Sequence, residues 1–297
     1  MFDDIRVLHL ESTSICNAAC PQCARFLRDG KTLDPRIIQK DLTLETIKEK
    51  LPVDFVRQLD KMFMCGNFGD PAAAKDTLEI FRWFRDVNPN ITLGMNTNGS
   101  LKTTKFWQEL GEILNRQTDY CVFSIDGLED TNHIYRRNTV WSKIVENVTA
   151  FISAGGRAHW DMLIFNHNQH QVTQAQQLAK ELGFSIFRSK VSKRFLTKPI
   201  AGLEPPATQF EQIISKDIDC YALKESSMYM DYEGNFWPCC WLASKHLHEA
   251  KVTKIENFSD IESVYHTTPF ETCTRTCGKK DDKTNFTNQW TTEINFR

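Results

Sequence analysis

The chain has 297 residues, of which 41% are hydrophobic and 25% charged, as in ordinary globular proteins, and is long enough for one large domain with a small appendage. Its 36 Lys and Arg nearly balance 38 Asp and Glu, giving a net charge of −2 and no global field that attracts nucleic acid or an anionic membrane. Because the sequence has neither a run of about 18 apolar residues nor the basic start of a signal peptide, we expect a cytoplasmic protein without membrane or nucleic-acid partners.

Short β-rich runs alternate with helical stretches over the first two thirds of the chain. We predict strands at Arg6–Leu10, Met62–Cys65, Ile91–Met95, Cys121–Ile125, His159–Phe165 and Ser185–Val191. We predict helices at Leu44–Leu59, with a break or kink at Pro52, and at Ala72–Val87, Thr104–Arg116, Ser142–Ala154 and Gln171–Leu182. Six parallel βα units fall short of a closed barrel, so the predicted fold class is α/β, a partial (β/α)6 TIM-like barrel with its chemistry at the C-terminal ends of the strands.

The domain organisation follows from a change in composition near Lys198–Pro206, which is rich in proline and glycine and is typical of a linker. We expect residues 1–200 to form the barrel, residues 207–280 a small cysteine-rich domain, and residues 281–297 a loosely held polar tail. Ten cysteines are present, three of them within residues 16–23 and five between 220 and 277. In a reducing compartment such grouping indicates metal or cluster ligation rather than disulfides. Cys65 and Cys121 are predicted to be buried apolar side chains.

The first group, Cys16, Cys20 and Cys23, follows the first predicted strand with the spacing C-x3-C-x2-C. Three thiolates on one short loop can bind three irons of a [4Fe–4S] cluster and leave the fourth iron open to a small molecule. The alternatives are a zinc site and a set of reactive or buried thiols. A structural zinc site usually has four protein ligands, and no fourth Cys or His lies nearby in the sequence.

This spacing resembles the signature of the radical S-adenosylmethionine (radical SAM) superfamily. The resemblance implies that the open iron binds the amino and carboxylate groups of S-adenosyl-L-methionine. It also implies that reductive cleavage of this cofactor releases a 5′-deoxyadenosyl radical, which abstracts a hydrogen atom from a substrate. One position departs from the family pattern, because Gln22 stands where an aromatic residue is usual, which weakens the expected packing against adenine.

Later strand ends resemble the cofactor-contacting positions of the same superfamily. The segment Gly69–Pro71 resembles a Gly-Gly-Glu-Pro turn with Asp in place of Glu. The third and fourth strands end in Asn-Thr-Asn-Gly and Ser-Ile-Asp-Gly, and Arg136 resembles an arginine that contacts the cofactor carboxylate, with a solvated surface charge as the alternative. The cofactor-binding residues that the resemblance implies are Gly69, Asp70, Asn98, Ser124, Asp126 and Arg136.

The C-terminal cysteines begin with the pattern C-x13-G-x4-C, which resembles the opening of SPASM and Twitch domains, the carriers of auxiliary iron–sulfur clusters. Five cysteines suit the shorter Twitch form with one auxiliary [4Fe–4S] cluster better than a full SPASM domain with two. The ligands that this resemblance implies are Cys220, Cys239, Cys273 and Cys277. Cys240 is left over, as a core side chain, a replacement ligand or a catalytic group, and a structural zinc module is the alternative for the whole segment.

The resemblance implies an enzyme with two [4Fe–4S] clusters, one that binds S-adenosylmethionine and one auxiliary cluster that aids electron transfer. Its substrate would be a small molecule or a peptide, and its electron donor a protein such as flavodoxin or ferredoxin. The alternative function is an iron–sulfur electron carrier or scaffold without radical chemistry. A basic group near the sixth strand, Arg188, Lys190, Lys193 and Arg194, is suited to a substrate carboxylate or phosphate, with a solvated face as the other interpretation.

Overall fold

A computed structural model describes residues 4–207, 212–246 and 270–296 of the chain. Its strands are β1 (Val7–Leu10), β2 (Lys61–Met64), β3 (Thr92–Thr97), β4 (Tyr120–Ser124), β5 (Ala158–Ile164), β6 (Ile186–Val191), β7 (Ser227–Met230), β8 (Phe236–Trp237), β9 (Lys279–Lys280), β10 (Lys283–Thr284) and β11 (Thr292–Asn295). Nine of these form one sheet in the order β11-β6-β5-β4-β3-β2-β1-β7-β8, and β9 pairs with β10. Strands β1 to β6 are parallel neighbours in chain order, as the sequence predicts.

The helices are α1 (Leu44–Lys50), α2 (Val53–Gln58), α3 (Thr77–Val87), α4 (Thr104–Ile113), α5 (Asn132–Tyr135), α6 (Trp141–Ser153), α7 (Val172–Leu182), α8 (Tyr221–Lys224), α9 (Cys240–His246) and α10 (Glu271–Thr276). The stretch predicted as one helix from Leu44 is divided into α1 and α2, because Pro52 cannot donate a helical hydrogen bond and instead begins α2. Helix α7 ends where Gly183 takes a left-handed conformation with φ of 86°. Within the described ranges, none of the helices has the length and apolar character needed to cross a bilayer.

The two faces of the sheet differ sharply in composition. Along β5 buried and half-buried side chains alternate, so that Trp160 and Met162 join the main hydrophobic core with residues of the helices. The opposite face, which we call the inner face, carries polar and aromatic side chains. On it His9 stacks on Phe63 at a centroid distance of 4.3 Å, and Tyr120 stacks on His159 at 5.4 Å. The fold therefore places a helix-covered apolar core on one side and a polar interior on the other.

Segments beyond the six predicted strands also join the main sheet. From the segment 207–280, β7 pairs in parallel with β1, and from the predicted tail 281–297, β11 pairs antiparallel with β6. The tail is polar in composition, but the burial of its side chains alternates with a period of two, so that Thr292 and Ile294 are half-buried. Phe296 packs against the main core. The predicted linker is also packed, since Ile200 and the buried Leu203 contact the apolar group around the first three cysteines. The division into two domains stays a prediction.

Candidate functional site

The first cysteine group lies on the loop that follows β1, at the C-terminal edge of the parallel strands. We call residues 16–23 the cysteine loop. Arg25, just after this loop, stabilises its conformation, because one Nη of Arg25 donates to the carbonyls of Cys16 and Ala18, each at 3.2 Å. Cys20 is buried, and Cys16 and Cys23 are half-buried beside it in one apolar group. The loop thus presents three thiols in a protected position at the edge where parallel folds bind ligands.

Burial affects the protonation of Cys16 and Cys20. It raises the pKa of Cys16 to about 12, with the charge of nearby Asp70 acting in the same direction. Burial also raises the pKa of Cys20, an effect that the guanidinium of Arg136 opposes. The raised pKa values favour neutral thiols at Cys16 and Cys20, and metal or cluster binding would have to release their protons.

Asp70 joins the turn after β2 to the end of β3. Its carboxylate accepts hydrogen bonds from Ala72 N at 3.0 Å, Thr97 Oγ1 at 2.8 Å, Asn98 N at 2.7 Å and Asn98 Nδ2 at 2.6 Å. Four bonds fill the acceptor capacity of a carboxylate, and the side chain is buried. The Asn98 amide in turn lies 3.8 Å from the Cys16 sulfur. Asp70 therefore holds Asn98 in position beside the cysteine loop.

Gly69 allows the same turn to approach the loop before Cys16. A Cβ atom at this position would lie 1.8 Å from the carbonyl oxygen of Thr13, so only glycine fits there. The next residue, Asp70, donates its backbone N–H to the carbonyl of Ile15 at 2.9 Å. The turn is thus in direct backbone contact with the segment that leads into the cysteine loop.

Arg136 reaches the cysteine loop from the segment after β4. Its Nε donates to Asp126 Oδ2 at 2.6 Å, and its Nη1 lies 3.8 Å from the Cys20 sulfur. Asp126 is fully buried, and its other oxygen accepts from the backbone N–H of Leu163 at 2.6 Å. Arg136 is thus a positioned cation rather than a solvated surface charge. Ser124 is half-buried at the end of β4, within the same edge of the sheet.

Gln22 has a structural role that its departure from the family pattern does not predict. The side chain is 2% exposed; it accepts from Ser192 Oγ at 2.7 Å and donates to the carbonyl of Lys198 at 3.2 Å. The Lys198 ammonium donates to the carbonyls of Cys23 and Phe26, each at 2.7 Å. These contacts fasten the cysteine loop to the chain that follows β6.

Glu11 is a site residue that the sequence analysis misses. It is fully buried directly after β1 and accepts from the backbone N–H groups of Phe68 at 2.6 Å and Gly69 at 3.2 Å. It also accepts from the hydroxyl of Tyr229. Burial raises the pKa of Glu11 to about 7, against the lowering effect of these donors. A charged residue directly following a buried strand is the only local signal of this role in the sequence.

The four predicted auxiliary ligands line one small cavity. Cys220 precedes α8, Cys239 precedes α9, Cys273 lies on α10 and Cys277 ends it, and all four face the same space. Burial raises the pKa of Cys239 well above its usual range, and the three other thiols raise it further. Burial raises the pKa of Cys277 to about 11. The structure therefore brings together this predicted set, which we call the auxiliary cavity.

The remaining cysteines lie elsewhere. Cys240 is absent from the described lining of the auxiliary cavity, and the causes of its raised pKa, after burial and Cys239, include Cys65 and Glu11. The prediction of a buried apolar side chain is confirmed for Cys121, which is fully buried in the main core. It is wrong for Cys65, which is half-buried and continues the inner-face alternation of β2.

The donor sets suit iron–sulfur clusters better than single ions. Each of the ten cysteines lies among the described residues and is a thiol. In the described part of the chain, no group of three or more Cys, His, Asp or Glu side chains is placed so that it could hold a single metal ion. A tetrahedral zinc site gathers its ligands at about 2.3 Å from one centre, whereas a [4Fe–4S] cube spreads its cysteines over separate irons. Three thiols in one loop and four around one cavity fit the second arrangement.

No protein-family model matches the sequence, and no curated protein matches it. Solved structures do match. Streptococcus suis SuiB bound to precursor peptide SuiA is 13% identical, with a TM-score of 0.60 over 89% of this chain and 65% of that one. SuiB bound to S-adenosylmethionine is 13% identical, with a TM-score of 0.58 over 90% and 67%. Native anSMEcpe with bound AdoMet and Cp18Cys peptide is 14% identical, with a TM-score of 0.59 over 92% and 83%.

Two of these three structures hold bound S-adenosylmethionine, and two hold a bound peptide. At such low identity the likeness is one of fold, and this chain spans about two thirds of the length of SuiB. The predicted α/β fold class is confirmed.

Proposed function

We propose that this chain is a radical SAM enzyme in which Cys16, Cys20 and Cys23 hold a [4Fe–4S] cluster beside bound S-adenosylmethionine. One observation carries the proposal: Asn98, after β3, and Arg136, after β4, each lie 3.8 Å from a different sulfur of the cysteine loop. Successive strand ends thus converge on one set of thiols, at the edge where parallel (β/α) folds bind ligands. The fold shared with structures bound to S-adenosylmethionine supports the same reading.

When bound, the cluster and S-adenosylmethionine would supply a 5′-deoxyadenosyl radical that abstracts a hydrogen atom from the substrate. The residues of this chain would bind, orient and enclose the cluster and S-adenosylmethionine. Asp70 fixes Asn98 against Cys16, and Asp126 fixes Arg136 beside Cys20. The guanidinium partly offsets the negative charge of the thiolates, and Gly69 permits close backbone approach at the turn. Gly69, Asn98, Ser124 and Arg136 stay proposed cofactor contacts, and Asp70 and Asp126 stay in the proposed cofactor-binding set as the residues that position Asn98 and Arg136.

The auxiliary cavity is proposed to hold a second [4Fe–4S] cluster through Cys220, Cys239, Cys273 and Cys277. Its position supports a role in electron transfer, because Asn67 links the two cysteine sites. The carbonyl oxygen of Asn67 lies 4.0 Å from the Cys23 sulfur, and its side-chain amide donates to the carbonyl of Cys240 at 2.8 Å. Cys240 directly follows the proposed ligand Cys239, so hydrogen-bonded backbone connects the two proposed clusters.

The proposed substrate is a peptide or a small molecule bound on the inner face of the sheet. Peptides bound to SuiB and anSMEcpe support the first of these. A flavodoxin or ferredoxin in the cytoplasm is the proposed electron donor. The reaction class is an oxidation or another substrate modification that begins with hydrogen abstraction.

Anaerobic reconstitution tests this function. The protein would be assayed for iron, sulfide and zinc, then for 5′-deoxyadenosine after addition of dithionite and S-adenosylmethionine. We expect about eight irons per chain and formation of 5′-deoxyadenosine. Replacing Cys16, Cys20 or Cys23 by Ala should abolish formation, whereas Cys121→Ala, a control in the apolar core, should retain it. Iron without cofactor cleavage would indicate an electron carrier, and zinc without iron would indicate a zinc module; either contradicts the proposal.

A further inference from the structure

The inner face carries charged side chains that the proposed cofactor chemistry does not use. Asp161 lies on β5, and Arg188 and Lys190 lie on β6, with Asp161 opposite Arg188 and Leu163 opposite Lys190 in the register. Their strand neighbours Trp160 and Phe187 belong to the helix-covered core, so the three charged side chains point the other way, into the polar interior. Arg188 and Lys190 are half-buried and lie on the inner face.

Arg188 and Asp161 form a bidentate ion pair. Arg188 Nε donates to Asp161 Oδ1 at 2.8 Å, and an Nη donates to Oδ2 at 3.0 Å. Both side chains are about four-fifths buried, with relative exposures of 21% and 16%. This bidentate arrangement engages both carboxylate oxygens and leaves the pair with no net charge.

Lys190 has a different environment. Its ammonium donates to Gln289 Oε1 at 2.7 Å and lies 4.3 Å from the ring centroid of Trp290. Among the residues that the structure describes, it makes no ion pair with a carboxylate. Burial lowers its pKa to about 8; Arg188 and Arg194 lower it further, and Asp161 and Cys65 act against this. The group of Asp161, Arg188 and Lys190 thus has a net charge of +1 when Lys190 is protonated.

The ring of Trp290 lies against both Lys190 and Arg188. Its ring centroid lies 4.3 Å from Lys190 Nζ and also 4.3 Å from the Arg188 guanidinium carbon. Strand β11 begins two residues later and holds the segment against β6, with Thr291 N donating to Ser189 O at 2.8 Å. An aromatic ring against two cations limits their hydration, which strengthens their attraction to an anion in the same space.

We propose that Lys190, with Arg188 beside it, binds a carboxylate of the substrate on the inner face. This inference rests on the proposed function and specifies the substrate as a carboxylic acid, either a peptide with an acidic group or a small acid. Counting Asp161, Arg188 and Lys190, a monoanionic carboxylate neutralises the charge of +1, whereas a phosphate dianion would leave an excess of negative charge on these three side chains.

The register places this carboxylate site near the proposed cofactor edge. Leu163, the partner of Lys190 in the register, donates its backbone N–H to Asp126, and Asp126 holds Arg136 beside Cys20. An acid held by Lys190 would thus lie against the same strand ends that position the proposed cofactor contacts. The site would select acidic substrates and orient them by one end.

Binding of small probes to the reconstituted protein tests the inference without cofactor cleavage. The probes are N-acetylglutamate methylamide and its glutamine counterpart for a peptide acid, propionate and propionamide for a small acid, and inorganic phosphate. We expect one or both acids to bind at least about tenfold more tightly than the matched amide, and phosphate to bind no better than the amides. Whichever acid is preferred distinguishes a peptide from a small-molecule substrate.

Variants assign the preference to the charge. Lys190→Gln should remove the acid-over-amide preference and Lys190→Arg should retain it, while Lys180→Gln, the same change at an exposed position on α7, should leave it intact. Equal binding of acids and amides by the parent protein, or an undiminished preference in Lys190→Gln, would overturn the carboxylate site. Because these readouts do not require 5′-deoxyadenosine, failure here is distinct from failure of the proposed function.

Discussion

The hydroxyl of Tyr229 donates a hydrogen bond to Glu11, which lies 218 positions earlier in the sequence. Glu11 also accepts from the backbone of Phe68 and Gly69, at the turn proposed to approach the cofactor. One buried carboxyl thus joins three distant segments: the loop after β1, the turn after β2, and β7 within the cysteine-rich segment. Removing the Glu11 carboxyl should lower the stability of the fold more than replacing it by a neutral amide.

Glu11→Ala should lower the free energy of unfolding by about 3 kcal/mol or more, because it strands two buried backbone N–H groups and a buried hydroxyl. Glu11→Gln keeps an acceptor for the two N–H groups and should cost about 1 kcal/mol. Urea unfolding under anaerobic conditions measures both. Equal destabilisation by the two substitutions would show that the hydrogen bonds to Glu11 do not stabilise the fold.

Glu11 should also make stability depend on pH. Its pKa is about 7 in the folded protein against an ordinary 4.5, so between these values the folded state binds more protons than the unfolded state. Stability should therefore fall as the pH rises from about 4.5 to 7, by at most about 3 kcal/mol from this group. The difference between the parent protein and Glu11→Gln isolates the contribution. A difference that does not change between pH 5 and 8 would contradict it.

The contacts of Glu11 illustrate what the sequence does and does not predict. The spacing of Cys16, Cys20 and Cys23 and the alternation of β-rich and helical runs are local patterns, and they predict the loop and the order of the six parallel strands. Contacts that depend on a late segment returning to the sheet have no local signal. The pairing of β7 with β1 brings Tyr229 to Glu11, and the pairing of β11 with β6 brings Trp290 to Lys190.

Asp70→Asn should destabilise the protein whether or not clusters are bound. The carboxylate accepts four hydrogen bonds from the protein, and an amide at this position would place a donor against existing donors. We expect a loss of about 1–3 kcal/mol in the free energy of unfolding, with little change in the exposed control Asp54→Asn. Normal stability with selective loss of S-adenosylmethionine binding would instead indicate that Asp70 contacts the cofactor directly.

Gln22→Ala should loosen the cysteine loop. The substitution leaves the Ser192 hydroxyl and the Lys198 carbonyl without their Gln22 partners, at a cost of about 1–3 kcal/mol. Gln22→Phe, which restores the residue type usual in the family, should not recover this stability because the site is buried and polar. Gln177→Ala on the exposed face of α7 is the control. Thermal unfolding compares them, and a stabilising Gln22→Phe would contradict the proposed fastening.

The auxiliary cavity predicts which cysteines carry iron. Replacing Cys220, Cys239, Cys273 or Cys277 by Ala should lower the iron content by about four per chain and leave the cluster at the cysteine loop in place. Cys240→Ala should retain both clusters, because Cys240 lies outside the described lining of the cavity. Iron analysis with electron paramagnetic resonance of the reduced protein separates the two sites. Loss of the auxiliary signal in Cys240→Ala would make it a ligand.

Binding of acidic probes should depend on pH through Lys190. The ammonium has a pKa of about 8, lowered by burial and by Arg188 and Arg194 against the opposite effects of Asp161 and Cys65. Because the carboxylate site requires the protonated form, the affinity for the preferred acid should be constant below about pH 7. It should then fall as the pH rises through about 8 to 9, by up to about tenfold per unit.

The matched control for this pH dependence is Lys190→Arg, whose guanidinium stays charged throughout the range, so the affinity should then be nearly independent of pH. Titrations at pH 6.5, 7.5, 8.5 and 9.5 compare the two proteins with the amide probe as a blank. A fall of equal size in both would assign the titration to another group and remove Lys190 as the cation that holds the acid.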